Sequence, residues 1–175
     1  GAASLWAALA ADRLPAGAEI NRDAILRSFH ALPPHLRRHL GPTLADRFLD
    51  IDDSEAARII RDAIERTPET DPASVALMDA RSDLHRDAVS EAQIHAAAAV
   101  AGAGDDAESL MTLVDAHFQD GTPLDPGVAM TLQTLVREAK GRTDEPVLQR
   151  ALVLSLALSG DVDAAFAAAE GWPEA

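Results

Sequence analysis

Cysteine and tyrosine are absent from this chain, and aromatic residues make up only 3% of its 175 positions. Without cysteine there is no disulfide framework, no thiolate zinc site and no cysteine nucleophile. Long apolar runs are missing too. The longest, residues 151–158, is interrupted by Ser155, ends at Ser159-Gly160, and falls well short of the ~18–20 residues needed to span a bilayer. Basic residues are scarce: 15 Lys and Arg stand against 29 Asp and Glu, a formal net charge of −14. That balance argues against a nucleic-acid partner or an anionic membrane surface. The start Gly1-Ala2-Ala3-Ser4-Leu5-Trp6 has no basic residue before Arg13, so it lacks the order of a secretory signal. It fits a mature chain or a segment of a longer protein, with cytoplasm and periplasm both open as compartments.

Apolar residues make up 47% of the chain, and alanine supplies about one residue in five, a composition that favours helices over sandwiches or barrels. Asp71-Pro72 and Asp125-Pro126 each place a capping carboxylate before a proline at a first helical position. Gly41-Pro42 reads as the stop of one helix and the start of the next, and Gly104-Asp105-Asp106 and Gly160-Asp161 repeat that punctuation. Apolar stripes at helical spacing run through Ala56, Ile60, Ala63 and Ile64, through Ala107, Leu110, Met111, Val114 and Phe118, and through Val128, Leu132, Leu135, Val136 and Ala139. The segment 145–158 is apolar almost all round, which places it between neighbours. The spacing predicts helices over 3–12, 21–32, 34–40, 42–50, 54–66, 72–87, 90–103, 105–119, 126–140, 145–159 and 161–170. Short links between them force antiparallel neighbours, and the chain reads as one all-α domain over 1–175.

Three places share a pattern of small residues beside a turn: Ala56, Ile60, Ala63 and Pro68; Ala97 with Gly104, Ser109, Leu113 and Ala116; and Gly160-Asp161-Val162-Asp163 leading into Ala164-Ala165-Phe166. This resembles the tetratricopeptide-repeat pattern, with leucine, isoleucine or alanine at most aromatic positions and about fifty residues between sites. The resemblance implies antiparallel helical hairpins stacked as a short right-handed superhelix whose inner face binds a peptide or partner protein. An irregular helical bundle is the alternative arrangement.

Chemical motifs are few. His35 and His39 lie four apart on one helix face, a spacing that suits a metal pair, but Arg37 and Arg38 lie between them and the glutamate of the zinc-protease motif is missing. His39 reads more simply as a last-turn residue before Gly41, like His30 before Pro33-Pro34 and His117 before Gly121. His85 and His95 read as isolated packing or surface residues. Asp50, Asp52, Asp53 and Glu55 form an acidic cluster without the glycine and distant glutamate of a calcium loop, and helix capping by Asp53 or Ser54 explains it. Asp105, Asp106 and Glu108 have the same explanation. No phosphate loop, nucleophile elbow or kinase signature is present. Trp6 and Trp172 bracket the domain and suit pins for its terminal helices.

Charge is unevenly spread. Between Arg86 and Arg137 there is no lysine or arginine, while Asp87, Glu91, Asp105, Asp106, Glu108, Asp115, Asp120 and Asp125 all fall there. A solvated face is the simpler account of the acidic 87–136 region, and a docking surface for a basic partner is the other. The expected function is a non-catalytic scaffold for protein or peptide interaction, with no cofactor, no assigned catalytic or metal residue and no membrane insertion. The alternatives are an all-α metal-binding or enzymatic domain using His35, His39 and nearby carboxylates, and a structural spacer in a longer chain.

Overall fold

A computed structural model of the chain describes residues 22–170, and every regular element among them is a helix. The helix expected over 3–12, Trp6 and Trp172 lie outside the described residues. In chain order the helices are α1 Arg22–His30, α2 Pro34–Asp50, α3 Ser54–Glu65, α4 Pro72–His85, α5 Val89–Ala103, α6 Ala107–Asp120, α7 Pro126–Glu138, α8 Glu145–Leu158 and α9 Val162–Glu170. The fold is all-α, as composition and spacing predict. No helix among the described residues is long and apolar enough to cross a membrane.

Aspartate sets most of the helix starts. The carboxylates of Asp53, Asp71, Asp106 and Asp125 accept from the backbone N–H of Ala56, Ala73, Ser109 and Gly127 at 2.9, 2.9, 2.9 and 2.7 Å, satisfying donors that have no partner inside the helix. Gly121 ends α6 in the left-handed conformation, with φ of 69°, which a side chain would disfavour.

One expected boundary does not exist. Helices over 34–40 and 42–50 are a single helix, α2, and Pro42 sits inside it. An interior proline costs about 3 kcal/mol by deleting one hydrogen bond and crowding the preceding turn. Beyond it, however, Leu44, Ala45, Phe48 and Leu49 are all buried, and each large apolar side chain buried returns about 1.5–3 kcal/mol. Burial wins. Gly41 serves close approach rather than termination: a Cβ there would fall 2.2 Å from Ile64 Cδ1 and 3.2 Å from Phe29 Cε2. His39 is consequently not a last-turn residue, since its helix continues to Asp50.

The helices pack pairwise, α2 on α3, α4 on α5 and α5 on α6, while α2, α4, α6 and α8 touch one another in turn. The nearly all-apolar α8 lies against α6, α7 and α9, the placement its composition requires. Two large apolar clusters result. One gathers Phe29, Leu44, Phe48, Ile60 and Ile64 with Val75 and Met78 of α4; the other gathers Leu110, Val114, Leu132, Leu148, Ala151 and Leu156. Between them a small cluster holds Ala80, Ala96 and Leu113. The α4–α5 pair is close because alanines face it: Ala80, Ala92, Ala96 and Ala99 are fully buried, and a Cβ on Gly102 would lie 2.8 Å from the Cβ of Ala73.

Some expected core positions face outward. Phe118 is exposed although it continues the α6 stripe, because it lies in the last turn, where α6 is ending at Asp120. Of the positions that carry the repeat resemblance, Ala56, Ile60, Ala63, Ser109, Leu113, Ala116 and Ala165 are buried, whereas Ala97 and Phe166 are exposed. On α5 the buried small residues are Ala92, Ala96 and Ala99, so the face that packs is rotated one residue from Ala97.

Candidate functional site

The residues that stand out in the sequence are mostly spoken for or scattered. His35 and His39 are exposed on α2, and no group of three or more metal-ligating side chains gathers among the described residues. The acidic cluster after α2 is divided among separate tasks. Asp53 caps α3 and accepts from Arg22 at 2.7 Å, Glu55 accepts from the same guanidinium at 3.0 Å, and Asp52 lies 3.2 Å from His85 Nε2. In the acidic 87–136 stretch, Asp106 and Asp125 cap helices, Glu108 accepts from Arg81 at 2.7 Å, and Asp115 faces Arg150 at 3.8 Å. Burial raises the Asp115 pKa above its ordinary value, against the smaller opposing pull of Arg150.

The densest chemistry lies elsewhere, in a cleft floored by α4 and walled by α3 and α5. It encloses about 830 Å³, and Arg58, Arg61, Asp79, Asp83, Arg86 and His95 are among its lining residues, with the hydroxyls of Ser54 and Ser82. A second cleft of about 310 Å³ adjoins it at Glu65, Thr70, Pro72, Val75 and Ala76. Asp79 of α4 and His95 of α5 line both, so the two spaces are neighbours. The twelve residues of α3 give a wall about 18 Å long at 1.5 Å per residue.

Ion pairs hold the walls to the floor. Arg61 of α3 donates through Nε and Nη2 to the two carboxylate oxygens of Asp79 on α4, at 2.8 and 3.0 Å, and through Nη1 to Glu65 at 2.5 Å. This forked contact raises the Arg61 pKa above its ordinary value and locks its planar head in one orientation. Arg81, one turn before the C-terminal end of α4, ties α2 to α6 by reaching Asp46 at 2.5 Å and Glu108 at 2.7 Å. Burial raises the pKa of Asp46, with Arg81 pulling the other way.

At the α5 side stands Asp83, almost wholly buried. Its Oδ1 accepts from Arg86 Nη2 at 2.6 Å and its Oδ2 accepts from His95 Nδ1 at 2.5 Å. A carboxylate can only accept, so this contact leaves His95 Nε2 as the nitrogen not committed to Asp83. His85 and His95 are therefore not isolated. Both line the cleft, and each has one ring nitrogen on a carboxylate. No local spacing marks Asp83 and His95 as partners, because they lie twelve residues apart on different helices. The usable signal is the tight antiparallel turn at 86–88, which sets residues on either side of it against one another.

Comparison with protein families, with curated proteins and with solved structures finds nothing that this chain matches.

Proposed function

We propose that this chain is a non-catalytic helical scaffold that binds an extended segment of a protein or peptide, its hairpins stacked in the manner of a tetratricopeptide array. The observation that carries the reading is the pair of neighbouring clefts between α3 and α5 over α4, which share Asp79 and His95. The α3 wall beside them, about 18 Å long, matches five or so extended residues at about 3.3 Å each. The contact of α2, α4, α6 and α8 in turn supports the stacked arrangement. Close alanine contacts between α4 and α5 support it as well.

The test is selection of binding peptides from a displayed random library, followed by titration against an Ala76→Trp variant. Ala76 lines the narrower part of the groove, so a large ring there blocks the path of a bound chain. Selected peptides should lose about tenfold or more in affinity, about 1.4 kcal/mol. Peptides that bind both proteins equally remove the groove from the reading.

One contact favours a second reading. Asp83 orients His95 through Nδ1, the arrangement that prepares an imidazole for acid–base work. Under this reading His95 acts as general base toward water in the hydrolysis of a small bound ester, and His95→Ala abolishes turnover while the helices stay folded. A screen of ester substrates in which wild type and His95→Ala are equally inert returns the cleft to binding alone.

A further inference from the structure

Two buried positions recur at a fixed interval. Leu44, Ala80 and Ala116, on α2, α4 and α6, stand 36 residues apart, and so do Ile60, Ala96 and Leu132, on α3, α5 and α7; all six are wholly buried. Successive hairpins therefore set equivalent positions against equivalent neighbours. The three most exposed large apolar side chains among the described residues keep the same interval: Ile94 on α5, Met130 on α7 and Phe166 on α9 are 68%, 68% and 70% exposed. Each stands two residues before a side chain that packs inward, Ala96, Leu132 or Ala168. Two residues on a helix point about 200° apart, so each of the three lies on the outer ridge of its helix. Apolar side chains exposed singly need no explanation. Three at one structural position form a row.

We propose that this row docks a basic amphipathic helix of a partner protein, laid across α5, α7 and α9 with one apolar side chain per heptad on Ile94, Met130 and Phe166. Spacing selects a helix. Helix α5 packs on α4 and α6, α7 and α9 pack on α8, and α4, α6 and α8 touch in turn. Packed helices lie about 8–10 Å apart, so the rungs step by about 10 Å. In an extended strand that distance is about three residues, and the alternation of strand side chains turns every third one away. In a helix it is about seven residues at 1.5 Å each, which return to within about 20° of the same face. Charge selects a basic one. Glu91 and Asp163, three residues before Ile94 and Phe166, are exposed, and Asp125 is exposed at the start of α7. No lysine or arginine lies between Arg86 and Arg137, and Arg137 stands at the far end of α7 from Asp125. The row is thus flanked on one side by acids, which complement a line of lysine or arginine beside the apolar anchors. This surface is the outer ridge of the helices, and the inference does not depend on the peptide-groove reading.

The experiment is fluorescence anisotropy with a labelled peptide of about 21 residues, three heptads long. It carries leucine at every seventh position, lysine one and four residues after each leucine, and alanine or glutamine elsewhere. One counterpart has glutamate in place of lysine; another has the same composition with its leucines five residues apart. The lysine heptad peptide should bind, and Met130→Ser/Phe166→Ser should weaken it by about tenfold. Glu91→Gln/Asp163→Asn should weaken it by about threefold and make it less sensitive to salt. Circular dichroism checks the helices; if the serine double variant unfolds, Ile94→Ser alone probes the same row through a loss of about threefold. Equal binding of either counterpart, equal affinity of wild type and the serine variant, or no binding at all overturns the inference. So does sedimentation that finds a wild-type dimer dissociated by Phe166→Ser, because a second copy then covers the row. The groove reading stands or falls by the Ala76→Trp titration alone.

Discussion

His95 Nδ1 lies 2.5 Å from Oδ2 of Asp83, across the turn that joins α4 to α5. The carboxylate is buried and its other oxygen is taken by Arg86, so both donors depend on one acceptor. Hydrogen bonds to a charged group contribute about 1.5–3 kcal/mol. Asp83→Ala should therefore lower the free energy of unfolding by about 2 kcal/mol in urea. A double-mutant cycle with His95→Ala should return a coupling of about 1 kcal/mol. Strict additivity would mean that the contact holds nothing together.

The second prediction concerns Gly41. A methyl group there meets Ile64 Cδ1 at 2.2 Å and Cγ1 at 2.9 Å, inside a cluster where Ile64 is fully buried. Alanine gains about 1 kcal/mol of helix propensity over glycine, and overpacking costs about 1–3 kcal/mol. Gly41→Ala should come out destabilised by about 1 kcal/mol, the net of those two opposing terms. Ile64→Val removes Cδ1 and leaves a γ-carbon as the nearer neighbour, so Gly41→Ala should cost less in that background than in the wild type. Thermal melts of the four proteins decide it.

These two sites show what a sequence conveys and what it hides. The aspartate caps at Asp53, Asp71, Asp106 and Asp125 were legible because capping is local: donor and acceptor lie within three residues. The surroundings of α8 were legible from its all-round apolar surface. Gly41-Pro42 misled, because the same two residues that stop a helix are tolerated inside one when a neighbour needs the space, and Ile64 lies 23 positions away. The candidate site was illegible for the same reason. Arg61 and Asp79, or Asp83 and His95, meet only once the hairpins have closed, and neither pair has a local spacing that marks it. Arg22, Arg61 and Arg81 are ties between helices that no local spacing marks.

Arg61 and Asp79 supply a third prediction. The two-pronged contact uses the planar fork of arginine, which a lysine ammonium cannot reproduce. Arg61→Lys keeps the charge but should still lose about 1 kcal/mol of stability, and Arg61→Ala should lose about 2 kcal/mol because it also leaves Asp79 without its donor. Equal stability of wild type and Arg61→Lys would show that charge alone suffices.

The fourth prediction sets two aspartates of α6 against each other. Burial raises the Asp115 pKa, so the folded chain holds that proton more tightly than the unfolded chain. The stability tied to it is present at acid pH and lost as pH rises through the folded value. Asp115→Asn should raise Tm at neutral pH and leave it unchanged at about pH 3, below the unfolded carboxylate value. Asp120 goes the other way. The Thr122 hydroxyl donates to it at 2.6 Å and lowers its pKa, so its contribution is present at neutral pH and lost as pH falls through the folded value. Asp120→Asn should lower Tm at neutral pH and have no effect at strongly acid pH. Melting curves across the acid range, with the two variants moving in the same direction, would refute the assignment.

The phenylalanine-rich cluster at one end and the leucine-rich cluster at the other are separated by Ala80, Ala96 and Leu113. Methyl groups transmit little strain, because each interlocks with few atoms and contributes only about 0.8 kcal/mol on burial. Phe48 and Leu148 accordingly belong to separate apolar clusters, and the guanidinium of Arg81, on Asp46 and Glu108, is a polar strut that spans the division between them.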